Sequence, residues 1–259
     1  MARDDQASHN RRGARRDVPA SDEDPAGRPP VSTDEEIARF LHAVSNRPVG
    51  PAGTPARLIM AIDATASREP SWDMACQIQG EMFAAAASLG GLEIQLVFYR
   101  GFGECKSTPW LSGSDELLRK MLRVRCLGGQ TQIGQVLRHA RQARQSDQGV
   151  RALVFIGDAM EEDIDTLCAE AGELGILGLP AFIFHEGHDP VAAKTFRQIA
   201  RLSGGAYAPF DQGSARQLTA LLRAVAAYAA GGLAALEGQT DPDVAKIAAQ
   251  LKLIGGPKP

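Results

Sequence analysis

Two aspartates sit at the ends of apolar runs, where a carboxylate is expensive unless something holds it. Asp63 closes the run RLIMAID and Asp158 directly follows ALVFIG. Beyond Asp63 the chain reads Asp63-Ala64-Thr65-Ala66-Ser67, and in extended backbone alternate residues share a side, so one carboxylate and two hydroxyls converge. Thr131, in the turn Gly128-Gly129-Gln130-Thr131 ahead of a helical pattern, offers a third hydroxyl. A set of carboxylates and hydroxyls without thiolate or imidazole suits a hard cation, Mg²⁺ or Mn²⁺, over Zn²⁺ or Cu²⁺. Because hydroxyl ligands are neutral, such an ion keeps positive charge. An open position on it would attract a carboxylate from another protein.

Plainer readings exist for each residue. Thr65 and Ser67 lie ahead of Pro70, and Thr131 ahead of a helix beginning at Ile133, so all three could be helix caps. Capping leaves Asp63 and Asp158 unexplained, since buried carboxylates need a charge partner, hydrogen bonds or a metal. A purely structural hydrogen-bond network among the same groups stays open. The segment His185-Glu186-Gly187-His188-Asp189 lacks the His-Glu-x-x-His spacing of a zinc site and reads as a loop. Glu161-Glu162-Asp163 reads as the acidic start of a helix, complementing its own dipole. Met74 reads as core, while Trp72 is open between core and the rim of a binding surface.

The elements that must position these residues alternate. Apolar runs of strand length fall at 57–63, 92–99, 106–110, 152–156, 181–184 and 206–210, the third a short edge strand. Helical spacing appears over Met74, Ile78, Met82 and Phe83, then at 117–124, 133–144, 164–174, 191–202 and 215–229. The alternation predicts an α/β fold: a doubly wound, mostly parallel six-stranded sheet with helices on both faces and one short antiparallel edge strand. In such sheets ligands bind beyond the carboxyl ends of the strands, where Asp63 and Asp158 stand.

The remainder of the chain sets limits. A length of 259 residues with 44% hydrophobic content suits one large domain with tails. Residues 1–31 mix charges of both signs with Pro and Gly and are expected to be disordered; 32–56 read as a short amphipathic helix and linker, and 231–259 as a tail with a short helix. A net charge of −3 does not provide the field that phosphate-backbone binding needs, so no nucleic-acid role is expected. No stretch reaches the roughly 18 apolar residues of a spanning helix, and none near the N-terminus resembles a signal-peptide core, so no membrane partner is expected. Cys76, Cys105, Cys126 and Cys168 form no Cys-x-x-Cys pair and read as reduced thiols of a cytoplasmic protein.

In residue type, order and strand context, Asp63-x-Thr65-x-Ser67, Thr131 and Asp158 resemble the metal-ion-dependent adhesion site of von Willebrand factor A domains, whose usual form is Asp-x-Ser-x-Ser. The resemblance spans residues 57–230. It implies that Thr65, Ser67 and Thr131 are direct hydroxyl ligands, with Asp63 and Asp158 acting directly or through water. Thr65 keeps the hydroxyl of the usual Ser but is stiffer at χ1. The implied function is a binding module, without chemistry of its own, that holds Mg²⁺ or Mn²⁺ and captures an acidic residue of a partner protein.

The competing enzyme reading is a haloacid-dehalogenase-like, Mg²⁺-dependent phosphohydrolase. There Asp63 would attack phosphorus, Thr65 would stand two residues on, and Gly157-Asp158 would hold the metal. That family places a flap hairpin soon after the nucleophile, whereas here a helix is expected to start near Pro70. Dinucleotide binding needs a Gly-rich turn after the first strand, and Asp63 to Ser67 contains no glycine.

Overall fold

Runs rich in Ile, Leu, Val and Phe become strands when both faces of a sheet can be covered, and here both are. The computed structural model describes residues 33, 36–37, 39–40, 56–72, 92–210 and 215–231. Among these, six strands form one sheet in the order β3-β2-β1-β4-β5-β6. They are β1 (Ala56–Asp63), β2 (Leu92–Arg100), β3 (Glu104–Ser107), β4 (Val150–Gly157), β5 (Ala181–Glu186) and β6 (Ala206–Phe210). All neighbours run parallel except β3, which pairs antiparallel with β2. Strand order reverses between β1 and β4, the point at which this architecture opens a crevice.

Among the described residues five helices cover the sheet: α1 (Ser114–Met121), α2 (Ile133–Ser146), α3 (Ile164–Ile176), α4 (Pro190–Ser203) and α5 (Ala215–Gly231). Alternation along β1 divides its residues between two cores. Ile59 and Ala61 join Leu137 of α2, Leu167 of α3 and Phe196 of α4 on one face. Leu58, Met60 and Ile62 join Met121 of α1 and Val225 of α5 on the other. A central strand buried on both faces reads as a continuous apolar run, which is why β1 lacks polar alternation. Phe40 lies in the second core, its ring 5.5 Å from Phe182 and 5.4 Å from Phe184.

Element starts and stops follow local chemistry. Asp189 accepts from the amides of Val191 and Ala192 ahead of Pro190, which occupies the first turn of α4, and Gly204, at φ 72°, closes that helix. Two boundaries differ from expectation. The edge strand lies at Glu104–Ser107, not 106–110, because Gly101 and Gly103, at φ 59° and 83°, turn the chain so tightly that pairing resumes at Arg100 opposite Glu104. Pro109, without an amide proton, cannot extend the ladder. Helix α1 covers Ser114–Met121, not 117–124, with Asp115 and Glu116 forming its acidic first turn. The expected helix through Ile78 and Phe83, both chain tails and the C-terminal helix lie outside the described residues.

Candidate metal centre

Asp63 is the last residue of β1, paired across the sheet with Tyr99 of β2, and has no exposed surface. Its Oδ1 accepts the Thr65 amide at 2.7 Å and its Oδ2 accepts the Tyr99 hydroxyl at 2.9 Å. Burial pushes Asp63 up to about 6; bonds from Thr65 pull it down, the Asp158 charge pushes it up, and the Tyr99 bond pulls it down. Thr65 precedes a 3-10 turn at Ala66–Arg68 but makes no side-chain cap there. Its Oγ1 lies 3.0 Å from Ser67 Oγ instead. The two hydroxyls thus share one side, although Ser67 lies within the 3-10 turn and not in the extended chain expected, and capping does not account for Thr65.

Asp158 follows β4, the neighbour of β1, and acts electrostatically on Asp63. Its Oδ1 is buried without a hydrogen-bond partner among the described residues. Thr131 does not cap α2. Its amide and hydroxyl donate to Glu161 Oε2 at 2.9 and 3.3 Å, and its Oγ1 accepts the Glu161 amide at 3.2 Å. These bonds tie Thr131 to the loop that follows Asp158.

The acidic run behaves differently from expectation. Asp163 caps α3, accepting from the Thr166 amide at 2.8 Å. Glu162 serves a different helix: it accepts the amide of Gly134 at 2.9 Å and that of Ile133, at the open N-terminus of α2. The side chain reaches across because α2 provides no cap of its own. Burial raises the Glu162 pKa despite those amide bonds. Glu162→Ala should therefore cost about 1–2 kcal/mol, and Glu162→Gln less because one oxygen is kept. Denaturant melts of the two variants check this.

Sequence reasoning missed Tyr99 and Arg68 around the site, and it read His185 and Glu186 as loop, whereas both belong to the end of β5. Tyr99 holds Asp63, and its only signal was its position at a strand end beside β1. Arg68 is 1% exposed and ion-paired with Glu186 at the end of β5, which also accepts the Ser71 hydroxyl at 2.9 Å. His185 is buried, its Nε2 3.3 Å from the Asp158 carbonyl oxygen and its Nδ1 2.9 Å from the Tyr207 hydroxyl; burial lowers its pKa. The His185 and Glu186 side chains are thus engaged by Tyr207, the Asp158 backbone, Arg68 and Ser71, and they brace the Asp158 region. Trp72, at 7% exposure, is core and not rim.

Among the described residues no three His, Cys, Asp or Glu side chains form a metal-binding group. An ion here would therefore rest on two carboxylates completed by hydroxyls and water. The donor set fits that requirement: an orphaned Asp158 oxygen, a buried Asp63 that repels it, and the paired hydroxyls of Thr65 and Ser67.

No family model and no curated protein matches the chain. Solved structures do. A von Willebrand factor type A protein from Catenulispora acidiphila aligns at 17% identity and TM-score 0.53 over 66% of this chain and 43% of its own. The SpRpn10 VWA domain aligns at 11% identity and TM-score 0.51 over 61% of this chain and 88% of its own. Proximal thread matrix protein 1 of the mussel byssus, solved with a zinc-occupied MIDAS motif, aligns at 15% identity and TM-score 0.52 over 67% and 45%. The chain thus spans less than half the length of the first and third of these. Such identities define the fold alone: it is a von Willebrand factor A-like fold, as the strand order and the antiparallel edge strand also indicate.

Proposed function

We propose that the domain is a divalent-cation-dependent protein-binding module. Mg²⁺ or Mn²⁺ is held by the hydroxyls of Thr65, Ser67 and Thr131, with Asp63 and Asp158 acting directly or through water, and the ion captures an acidic residue of a partner. The observation that carries this reading is the buried Asp158 Oδ1, unpartnered among the described residues, together with the buried carboxylate of Asp63 on which it acts, at the crevice between β1 and β4. A hard cation adds positive charge at the two carboxylates and leaves a coordination position for an incoming carboxylate. A structural neighbour with a metal at its own MIDAS motif agrees with the reading.

The phosphohydrolase alternative requires Asp63 to attack a substrate. Asp63 has no exposed surface, and each of its oxygens already accepts a protein hydrogen bond, which weighs against a nucleophile. Cys105, Cys126 and Cys168 are free thiols, in keeping with a cytoplasmic setting. No helix among the described residues is long and apolar enough to cross a membrane.

The test is partner retention. Protein isolated with its partner in Mg²⁺ should release it into EDTA and recapture it when Mg²⁺ is restored, while Asp158→Asn should capture none under either condition. A partner that stays bound in EDTA places the interface elsewhere.

A further inference from the structure

Arg68 is a permanently charged side chain with almost no contact with water. A guanidinium that deep requires carboxylates, and the fold shows which ones. The chain reaches Arg68 just after β1, yet its ion-pair partner is Glu186, the last residue of β5. Strand β4 lies between β1 and β5. A side chain that begins beyond β1 and ends on Glu186 therefore passes over the carboxyl end of β4, where Asp158 stands. Asp158 is the strongest favourable charge acting on the guanidinium, ahead of Asp63. Arg68 Nε and Asp158 Oδ1 are both buried without hydrogen-bond partners among the described residues.

We propose that Arg68 is a built-in counter-cation for the Asp63–Asp158 pair, competing with the divalent ion for the same carboxylates and setting its affinity low. This inference rests on the metal-site reading above. With Arg68 in place, the charges of Asp63, Asp158, Glu186 and Arg68 sum to −2 instead of the −3 of the carboxylates alone, so the ion is attracted less strongly and the carboxylates are not left bare when no ion is bound. Occupancy by the ion then depends strongly on the extra negative charge that a partner carboxylate supplies.

Paired variants of the full chain test this, with bound Mn²⁺ counted from the EPR signal of the free ion. Arg68→Met with Glu186→Gln removes one charge of each sign, so the overall field is unchanged while the cation nearest Asp158 is lost. It should bind Mn²⁺ at least about ten times more tightly than the wild type. Glu186→Gln alone releases the guanidinium to Asp158 and Asp63 and should bind Mn²⁺ more weakly than the wild type. The single variant keeps the test decisive if the double one does not fold. Equal Mn²⁺ affinity in the wild type and whichever variants fold removes the role of Arg68 and leaves the metal site standing. Mn²⁺ binding by none of the folded proteins overturns the metal reading and this inference together.

Discussion

Asp63→Asn should make the metal-free protein more stable at pH 7.5, even though it removes a site residue. The carboxyl of Asp63 is raised from the ordinary 3.8 to about 6 by burial. At 1.36 kcal/mol per pKa unit, its ionisation in the folded state costs about 3 kcal/mol. The sign follows from the direction of the shift. The protonated form favours the fold, so its contribution is fully present below pH 4 and is lost as pH rises through about 6. Asparagine preserves the geometry, accepting the Thr65 amide and donating to the Tyr99 oxygen, while carrying no charge. The stability difference between variant and wild type should thus open between pH 4 and pH 6 and hold above it, in denaturant titrations with EDTA. A difference that does not change with pH would mean that Asp63 is not held as a raised carboxyl. The same variant should lose any stabilisation by Mg²⁺, because the charge that attracts the ion is gone.

Gly129→Ala should destabilise the protein by about 3 kcal/mol, at the upper end for added volume, because the clash is with backbone and not with a pliable side chain. A Cβ at position 129 would lie 2.0 Å from the carbonyl oxygen of Gly101 and 2.4 Å from its Cα. That carbonyl accepts the Gln130 amide at 3.1 Å, the contact that seats the turn before Thr131 against the β2–β3 hairpin. Forcing the two apart displaces Thr131, so Mn²⁺ affinity should fall along with stability. Denaturant melts and Mn²⁺ titration of one preparation read both effects. A loss under about 0.5 kcal/mol would show that the turn relaxes freely.

The layout of the sheet was legible because a doubly covered strand writes itself as an apolar run. The β6 bounds at Ala206–Phe210 match the expected 206–210, and the starts of α2 and α3 at Ile133 and Ile164 match as well. The edge strand was misplaced because a hairpin tip with two left-handed glycines leaves no apolar periodicity to read. Asp63, Thr65 and Ser67 were legible as a set because residues two apart in extended chain share a side; the two hydroxyls do meet at 3.0 Å, but Ser67 does so from the 3-10 turn at Ala66–Arg68 and not from extended chain. What sequence did not reveal depends on contacts between distant segments. Glu162 looks like a helix start but crosses 28 positions to Gly134, and Arg68 finds Glu186 far along the chain. Neither pairing follows from composition or period: Glu162 meets the start of α2, and Arg68 meets the end of β5, only once the sheet is formed.

A hard divalent cation bound in the crevice between β1 and β4 should stabilise the folded state. Thermal unfolding of the full chain at pH 7.5 in EDTA, then in Mg²⁺, Mn²⁺ or Ca²⁺ raised to tens of millimolar, measures it directly, because an ion that binds only the folded state raises the midpoint by mass action. The midpoint should rise with Mg²⁺ or Mn²⁺, increasingly with concentration, and should not rise in Asp158→Asn. An unchanged midpoint with every ion, or an equal rise in Asp158→Asn, would contradict binding in that crevice.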